Sequence, residues 1–379
     1  MRIALLPSAY APAVGGVEVL TARLASHLVT RGHEVEIWTS RSAGDGLQID
    51  EHFEGLRVRR FVFHLPRTTI GSLLSTPAKT LNTLRGLRRA VLDFRPDVLH
   101  VLCFSGNGAY AAALSKLAGI PLVVTLQGET VMDDQDIYTH STALRASLRC
   151  GLRRAARVTG CTSFVLDDAR HRFGLKKTDG VVIFNGVEST QADVVSSPIP
   201  FERYVLAVGR VVHNKGFDLL LAAFRSLADE FPDVGLVLGG EGSVRESLIQ
   251  QTASMSLSRR VFFPGRLSQE EVFDAMRRAE AFVLPSRVEP FGIVVLEAWR
   301  AGVPVLVTSR GGVGEFVRNG VSGLVVDPFD VQSLASSLRQ LLNSAALRTK
   351  LSQGGTASLP RFYWSRLVRE YEDVYRSVT

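Results

Sequence analysis

The chain has 379 residues, of which 46% are hydrophobic, so it is long enough for two domains with separate cores and has an ordinary globular composition. Its formal net charge is +7, and the basic excess leans towards the first half. Such a balance favours anionic partners, for example phosphorylated ligands or membrane head groups. No recognised nucleic-acid-binding module accompanies the charge, so we expect no nucleic acid partner.

The cysteines and the N-terminal residues exclude several classes of protein. Cys103, Cys150 and Cys161 have no ligand-like spacing, so neither a disulfide framework nor a zinc site is expected. The first residues form a short apolar segment that lacks the core and cleavage site of a signal peptide. No apolar run is long enough to span a bilayer. We therefore expect a cytoplasmic protein, soluble or peripheral at the inner face of the membrane.

Apolar segments alternate with helical patterns along the chain, which predicts a parallel α/β architecture. Between the first two apolar segments, Val17, Leu20, Leu24 and Leu28 recur at helical spacing. In the first half, strands are predicted at residues 3–6, 35–38, 98–103, 122–126 and 181–184.

The same order of strand, loop and helix begins again near residue 204. Residues 189–200 have the composition of a linker, and we place the domain boundary there. We predict two Rossmann-like, doubly wound α/β domains, residues 1–190 and 200–358, that face a cleft beyond their strand ends. A terminal segment, residues 359–379, follows them. In the second half, strands are predicted at residues 204–209, 234–238, 261–263, 281–284, 303–307 and 323–326, and a helix at 217–227.

Gly15 and Gly16 follow the first strand and begin the first helix. Helix N-termini carry unpaired N–H groups and partial positive charge, and glycine lets a phosphate approach the backbone. The pair is therefore a candidate phosphate site. A tight turn between strand and helix is the structural alternative.

Arg210 and Lys215 lie in the loop between a predicted buried strand and a helix. Two cations at the carboxyl end of a strand suit a diphosphate, and they would neutralise charge that develops on a leaving nucleotide. A solvated loop with two ordinary surface cations is the alternative for this segment taken alone.

Glu289 precedes Pro290-Phe291-Gly292, and Glu297 follows in an apolar segment that is predicted to be helical. Eight residues at about 100° each place the two carboxylates on similar sides. The predicted helix N-terminus can hold phosphate, Glu297 can accept hydrogen bonds from ribose hydroxyls, and Glu289 can contact the sugar. The alternative is an acid that favours the helix dipole and one exposed helical glutamate.

Together these motifs resemble the donor site of glycosyltransferase family 4, the group 1 glycosyl transferases of the GT-B fold. Further matches lie at residues 10–18, 185–187, 263–265, 311–315 and 319–323. The resemblance implies retention at the anomeric carbon, a nucleotide-diphosphate sugar donor and no required metal ion or other cofactor. It implies that Glu289 acts at the sugar, Arg210 and Lys215 at the diphosphate, and Glu297 at the ribose. The substrate-binding candidates are Gly15, Gly16, Asn185, Phe291, Gly292, Ile293, Val294 and Glu297.

One position departs from the family pattern. Members often carry a histidine near the reacting sugar, in the loop where this chain has Gln127, with Glu129 nearby. A glutamine does not act as an acid or base at neutral pH, but it can hydrogen-bond a sugar hydroxyl, so Gln127 joins the candidate site. His100, within a strand pattern, and His33, before a strand, are predicted to be structural.

Basic residues in the first half raise the question of the acceptor. Arg145, Arg149 and Arg153 recur every four residues in a predicted helix, which is also expected to contain Arg154 and Arg157. Such a face could contact an anionic membrane beside a lipid-linked acceptor. A solvated amphipathic helix is the structural alternative.

The motifs predict a retaining glycosyltransferase that transfers a sugar from a nucleotide-diphosphate sugar to an acceptor hydroxyl, in the synthesis of a cell-surface polysaccharide or glycolipid. Two alternatives stay open, a GT-B nucleotide-sugar epimerase and a catalytically silent nucleotide-sugar-binding protein. In the family, the terminal helix packs back on the first domain, and Trp364, Tyr371 and Tyr375 are suited to that here. The sugar, the base and the acceptor, whether a sugar, a lipid-linked molecule or a small molecule, are not specified by the sequence.

Overall fold

A computed structural model describes residues 1–13, 15–41, 46–64, 70–132, 137–189 and 195–379. Its contacts divide the chain into a first unit, Met1–Asn185 with Trp364–Thr379, and a second unit, Gly186–Tyr363. Residues 190–194 of the predicted linker, and residue 14 beside the glycine pair, lie outside the described residues.

The first unit contains a sheet that is parallel except at one edge, where β3 and β4 pair antiparallel. The strand order is β3-β4-β2-β1-β5-β6-β7-β8, so the order reverses between β1 and β5. The strands are β1 (Arg2–Pro7), β2 (Glu34–Ser40), β3 (Asp50–Phe53), β4 (Leu56–Phe61), β5 (Val98–Leu102), β6 (Leu122–Leu126), β7 (Arg157–Gly160) and β8 (Val181–Val182). The helices between them are α1 (Gly16–Thr30), α2 (Ile70–Phe94), α3 (Gly106–Ala118), α4 (Ile137–His140), α5 (Thr142–Arg154) and α6 (Ser163–Phe173).

The second unit contains a parallel sheet with the order β11-β10-β9-β12-β13-β14. This is the doubly wound order, in which the direction of winding reverses between β9 and β12. Its strands are β9 (Arg203–Val208), β10 (Val234–Gly239), β11 (Val261–Phe262), β12 (Ala281–Leu284), β13 (Val305–Thr308) and β14 (Leu324–Val326). Its helices are α7 (Phe217–Arg225), α8 (Arg245–Ser254), α9 (Gln269–Arg278), α10 (Ile293–Ala301), α11 (Val331–Asn343) and α12 (Ala345–Ser358). The prediction of two Rossmann-like α/β domains is confirmed.

The last helix, α13 (Trp364–Arg376), lies in the first unit. The buried His100 ring of β5 is within hydrogen-bond distance of the Tyr375 hydroxyl (2.7 Å) and of Thr125 Oγ1 (2.6 Å). Burial lowers the pKa of His100 to about 3, so this ring is neutral. His33 lies 2.9 Å from Glu372 of α13. Both histidines therefore have structural roles, as predicted.

Three strands of the first unit were missed, and one predicted helix was too long. β3 and β4 contain several charged residues, so their sequences do not show the apolar pattern of a buried strand. Arg57 and Arg59 of β4 both form ion pairs with Glu36 of β2. Arg157 was placed in the arginine helix, but α5 ends at Arg154 and Arg157 begins β7. That prediction was wrong because the tertiary sheet, through the pairing of Arg157 with Val123, overrides the run of helix-forming residues.

Candidate active site at the strand ends of the second unit

The loops that follow β9 and β12 meet where the strand order of the second sheet reverses. A short 3₁₀ turn, His213–Lys215, follows β9, and Gly216 joins it to α7 with φ of +67°. A Cβ atom at Gly216 would lie 2.1 Å from the carbonyl oxygen of Pro285, just beyond β12. Glycine is therefore required both for the left-handed backbone and for the close approach of the two loops.

This approach brings Lys215 and Glu289 together. Lys215 Nζ donates to Glu289 Oε2 at 2.7 Å, and the Ser286 hydroxyl donates to the same oxygen at 2.8 Å. Glu289 is 4% exposed and Ser286 is fully buried. A buried carboxylate that accepts from an ammonium and a hydroxyl is held in one place.

The main chain of Glu289 is fixed as firmly as its side chain. Its N–H donates to the Arg310 carbonyl, and its own carbonyl accepts from the Gly312 N–H, both at 2.9 Å. Gly311, with φ of +116°, lies between these partners, and a Cβ there would be 2.2 Å from the Glu289 carbonyl oxygen. The loop after β13 therefore fixes the main chain of Glu289 through two hydrogen bonds.

Helix α10 begins at Ile293, so Glu289 lies outside the helix. The prediction that placed Glu289 and Glu297 on similar sides by counting eight helical residues between them was therefore wrong. Gly292 occupies the position before the helix with φ of +80°, which breaks the helix between the two acids. The first N–H groups of α10, at the half-buried Ile293 and Val294, lack intrahelical acceptors as at any helix start. They are available to an anion.

The other acidic candidate lies one turn further into α10. Glu297 is half-buried, and burial raises its pKa above the ordinary value while Arg300 opposes the shift. The Phe291 ring is 2% exposed and stacks on Phe316 with ring centroids 4.7 Å apart. The Phe291 ring thus supports the turn through packing.

Arg210 lies exposed in the loop after β9, while a second arginine holds that loop. Arg287 donates to both carboxylate oxygens of Asp218, at 2.8 and 2.6 Å, and to the His213 carbonyl at 2.7 Å. Its N–H also donates to the Asn214 carbonyl. Arg287, Asp218 and Ser286 were missed in the sequence, because the contacts that give them their roles form only when the loops are folded.

In the first unit, Gln127 and Asn185 form a pair at the ends of β6 and β8. Asn185 Nδ2 donates to Gln127 Oε1 at 2.9 Å, and Asn185 is 3% exposed. Glu129 accepts from the Gln127 N–H at 2.7 Å and from the Phe104 N–H at 2.6 Å. Burial raises the pKa of Glu129, although these N–H groups favour its charged form. The carboxylate ties the strand ends of β5 and β6 together.

The glycine pair begins α1 as predicted, but an acidic side chain already occupies its first turn. Gly15 is the residue before the helix and Gly16 its first residue. Glu18 Oε2 lies 2.7 Å from the point where a Cβ of Gly15 would be. This carboxylate reduces the attraction of the helix start for phosphate.

The arginine helix is partly occupied by contacts within the first unit. Arg145 donates to the carbonyl of Tyr138 at 2.9 Å and to that of Thr139, and Arg149 donates to the Arg172 carbonyl at 3.2 Å. Arg153 is exposed. Among the described residues, no helix is long and apolar enough to cross a bilayer.

Comparisons with known proteins give the family. A model described as "Glycosyl transferase 4-like domain" matches residues 15–186, and one described as "Glycosyl transferases group 1" matches residues 192–358. A glycogen synthase of Mycobacterium tuberculosis is 29% identical over 99% of this chain and 94% of its own length.

Two solved structures share the fold of the whole chain. Sucrose-phosphate synthase from Thermosynechococcus elongatus has a TM-score of 0.82 at 21% identity, covering 99% of this chain and 98% of its own. Anabaena HepE, solved in complex with UDP-glucose, has a TM-score of 0.77 at 19% identity, with both chains covered in full (100%). The chain belongs to the group 1 glycosyl transferases, the family 4 glycosyltransferases of the GT-B fold.

Proposed function

We propose that this glycosyltransferase transfers a sugar from a nucleotide-diphosphate sugar to an acceptor hydroxyl with retention of the anomeric configuration. The observation that carries the proposal is the Lys215–Glu289 ion pair, which lies where the strand order of the second sheet reverses. The distance from Lys215 Nζ to Glu289 Oε2 is 2.7 Å. In doubly wound sheets, ligands bind beyond the carboxyl ends of the strands at that point. The relatives' names, which include a synthase of sucrose phosphate and a complex with UDP-glucose, support a sugar nucleotide as the donor.

Positive charge for the diphosphate comes from three sources in the second unit. Lys215 has three N–H donors and can keep its bond to Glu289 while it contacts a phosphate oxygen. Arg210 lies in the same loop, and the start of α10 offers the N–H groups of Ile293 and Val294. We propose that these groups stabilise the leaving nucleoside diphosphate without a metal ion, and that Glu297 binds the ribose hydroxyls.

Glu289 is proposed to stabilise the positive charge that develops at the anomeric carbon as the bond to the diphosphate breaks. Its Oε2 already accepts from Lys215 and Ser286, so this oxygen is a poor nucleophile, and the proposed role of the carboxylate is electrostatic. The acceptor hydroxyl then bonds to the anomeric carbon on the face that the diphosphate leaves, and its proton passes to an oxygen of the departing phosphate.

For the acceptor, we propose a sugar, lipid-linked or small-molecule hydroxyl used in cell-surface polysaccharide or glycolipid synthesis, with peripheral contact of the protein at the cytoplasmic face of an anionic membrane. The net charge of +7 and the exposed Arg149, Arg153 and Arg154 of α5 support this proposal. If the protein does not bind anionic membranes, the proposed membrane contact is wrong and a small-molecule acceptor is the better proposal.

The test begins with a thermal-shift and turnover screen of UDP-, GDP- and ADP-sugars, with and without EDTA. We expect one nucleotide class to stabilise the protein and to be consumed at an unchanged rate in EDTA. NMR coupling constants of the isolated product should show the anomeric configuration of the donor. An inverted linkage would reject the retaining mechanism, and an isomerised sugar nucleotide without transfer would favour the epimerase.

A further inference from the structure

Phe329, just after β14, is a large apolar side chain that is 51% exposed, so burial in the core does not explain its place. Two guanidinium groups lie close to its ring. The Cζ atom of Arg310 is 4.6 Å from the ring centroid, and that of Arg287 is 5.8 Å from it. A cation within about 6 Å of an aromatic ring is attracted by the negative charge density of the ring face. Both arginines are therefore attracted to the same exposed ring.

Each of these arginines is also bound to an aspartate. Arg310 donates to both carboxylate oxygens of Asp327, at 2.8 and 2.7 Å, and Arg287 donates to both oxygens of Asp218, at 2.8 and 2.6 Å. Paired bonds of this kind fix the plane of a guanidinium group. The five side chains form one connected row, which we call the ladder, in the order Asp218, Arg287, Phe329, Arg310 and Asp327.

The ladder connects the segments that follow four strands of the second sheet. Asp218 lies at the start of α7, which comes after β9, and Arg287 lies in the loop after β12. Arg310 lies in the loop after β13, and Phe329 and Asp327 lie after β14. These strands are parallel, so their carboxyl ends lie at one edge of the sheet. The candidate active site occupies the same edge.

The main chain around the Lys215–Glu289 pair is attached to both arginines of the ladder. Arg287 lies two residues before Glu289, and the carbonyl of Arg310 accepts from the Glu289 N–H at 2.9 Å. Arg287 also donates to the carbonyl of His213, two residues before Lys215, at 2.7 Å. A displacement of either arginine therefore acts on the main chain that holds the ion pair.

The structural alternative is that Phe329 serves only the start of α11. It comes directly before Asp330, whose side chain caps this helix by accepting from the Ser333 N–H. An apolar residue in this position often packs against the fourth residue of the helix, here the buried Leu334. A leucine at position 329 can make that contact as well as a phenylalanine, but only an aromatic ring attracts the two guanidinium groups. The two explanations therefore require different side chains.

We propose that Phe329 is a positioning residue for Glu289 that acts through Arg287 and Arg310, an inference that rests on the proposed role of Glu289. The ring holds the two arginines together, so the loops after β12 and β13 stay in one arrangement. Without the ring, each loop opens more often, and Glu289 spends less time in the position that its proposed role requires.

Hydrogen exchange measures the opening of these loops without any substrate. Phe329→Leu keeps an apolar side chain but removes the ring, whereas Phe329→Tyr keeps the ring. We expect exchange within residues 285–315 to be about 2- to 5-fold faster in Phe329→Leu, the size of one exposed contact between a cation and a ring, and unchanged in Phe329→Tyr. Residues 234–239 of β10 are the internal control and should exchange at the same rate in all three proteins.

Steady-state kinetics shows whether the loops matter for the reaction. In Phe329→Leu, kcat should fall by about 2- to 5-fold while KM for donor and acceptor stays near wild type, and Phe329→Tyr should keep the wild-type kcat. Arg310→Gln removes one of the two cations, so Phe329→Leu should have a smaller effect in that background than in the wild type. Leu117→Ala, which shortens an apolar side chain of α3 that is 74% exposed, is the matched control and should change neither constant.

The outcomes separate this inference from the proposed function. A wild type that consumes no sugar nucleotide would overturn the proposed function, while the exchange rates would still show whether the ring holds the loops. Unchanged exchange and kcat in Phe329→Leu would overturn the inference and leave Phe329 to the start of α11. Faster exchange with an unchanged kcat would overturn the positioning role. A higher KM alone, or equal losses in Phe329→Leu and Phe329→Tyr, would overturn it as well.

Discussion

Lys215 Nζ lies 2.7 Å from Glu289 Oε2, although 74 residues separate them in the sequence. The lysine side chain is 13% exposed and the glutamate side chain 5%. Each charge therefore depends on the other, because removal of one partner leaves the other buried and unpaired. The pair joins the loop after β9 to the loop after β12, so a defect in one loop is felt in the other.

Lys215→Ala should reduce the transfer rate by roughly 100- to 1000-fold, because it removes the cation that we propose for the leaving diphosphate and takes the ammonium partner from Glu289. Steady-state kinetics with the donor found in the nucleotide screen measures the loss, and circular dichroism checks that the fold persists. Lys350→Ala, at an exposed position of α12, is the matched control and should keep wild-type rates. Wild-type turnover and donor affinity in Lys215→Ala would remove this lysine from the site.

Glu289 and Glu297 should differ in the step that they affect. Glu289→Gln keeps the shape but removes the charge that we propose acts at the anomeric carbon, so kcat should fall while nucleotide affinity changes little. Glu297→Ala should weaken nucleotide binding by about 1–3 kcal/mol, because it removes the hydrogen bonds that we propose to the ribose. Calorimetry with the free nucleotide and kinetics on both variants give the comparison. Equal defects in binding and rate for the two variants would contradict this division.

Ser286 should act as a positioning residue through Glu289. Its fully buried hydroxyl donates to Glu289 Oε2 at 2.8 Å, so Ser286→Ala leaves that oxygen with Lys215 alone. We expect kcat to fall by roughly 10- to 150-fold, which corresponds to a charge-assisted hydrogen bond of about 1.5–3 kcal/mol, with little change in nucleotide Kd. Ser286→Thr, which keeps the hydroxyl, should restore part of the rate. Weaker nucleotide binding with an unchanged kcat would contradict this role and would indicate a general loosening of the loop.

The sequence predicted the two α/β domains because buried parallel strands give nearly continuous apolar runs, as at Val234–Gly239. It did not predict β3 and β4, the two strands at one end of the first sheet, because both contain charged residues. Arg59 there is bound to Glu36 of β2, so its charge is satisfied only in the folded sheet. A local pattern contains no information on that partner.

The same limit applies to the candidate site. The motif placed Lys215 and Glu289 at the ends of strands, but their direct contact depends on the close approach at Gly216. The helical turn count across Gly292 failed because a left-handed residue interrupts the segment. Ser286 gave no signal at all, since a serine three residues before an acid is common and only the buried contact gives it a role.

Acid should loosen the attachment of α13 to the first unit. Glu372 accepts from Arg31 at 2.6 and 2.8 Å and contacts His33 and Arg376, and Arg31 above all lowers its pKa from 4.5 to about 2. Because the pKa is lower in the folded state, the stabilisation is complete above about pH 4.5 and is lost as the pH falls towards 2. The shift corresponds to at most about 3 kcal/mol.

Urea unfolding of the wild type and Glu372→Gln measures this contribution. The difference in free energy of unfolding should be largest at pH 6–7 and should shrink by pH 3, because the wild-type carboxylate is then losing its advantage over the amide. Glu246→Gln, in an exposed pair with Arg245, is the control and should have little effect at either pH. A difference that stays constant from pH 7 to pH 3 would show that the charge of Glu372 does not hold α13.

Flotation with liposomes tests the membrane contact proposed for α5. If the exposed arginines face an anionic surface, the wild type should float with anionic vesicles at low salt and sink as salt rises, because exposed charges are screened over about 10 Å at 0.1 M. Arg149→Gln combined with Arg153→Gln should weaken vesicle binding by about 2 kcal/mol, at about 1 kcal/mol for each arginine, and leave donor turnover unchanged. Arg145 is kept, because its bonds to the Tyr138 and Thr139 carbonyls support α4 and its loss would confuse folding with binding.

Vesicles of neutral lipid are the control. Wild-type protein that stays at the bottom of the gradient at low salt would remove the membrane contact and leave a small-molecule acceptor as the better hypothesis.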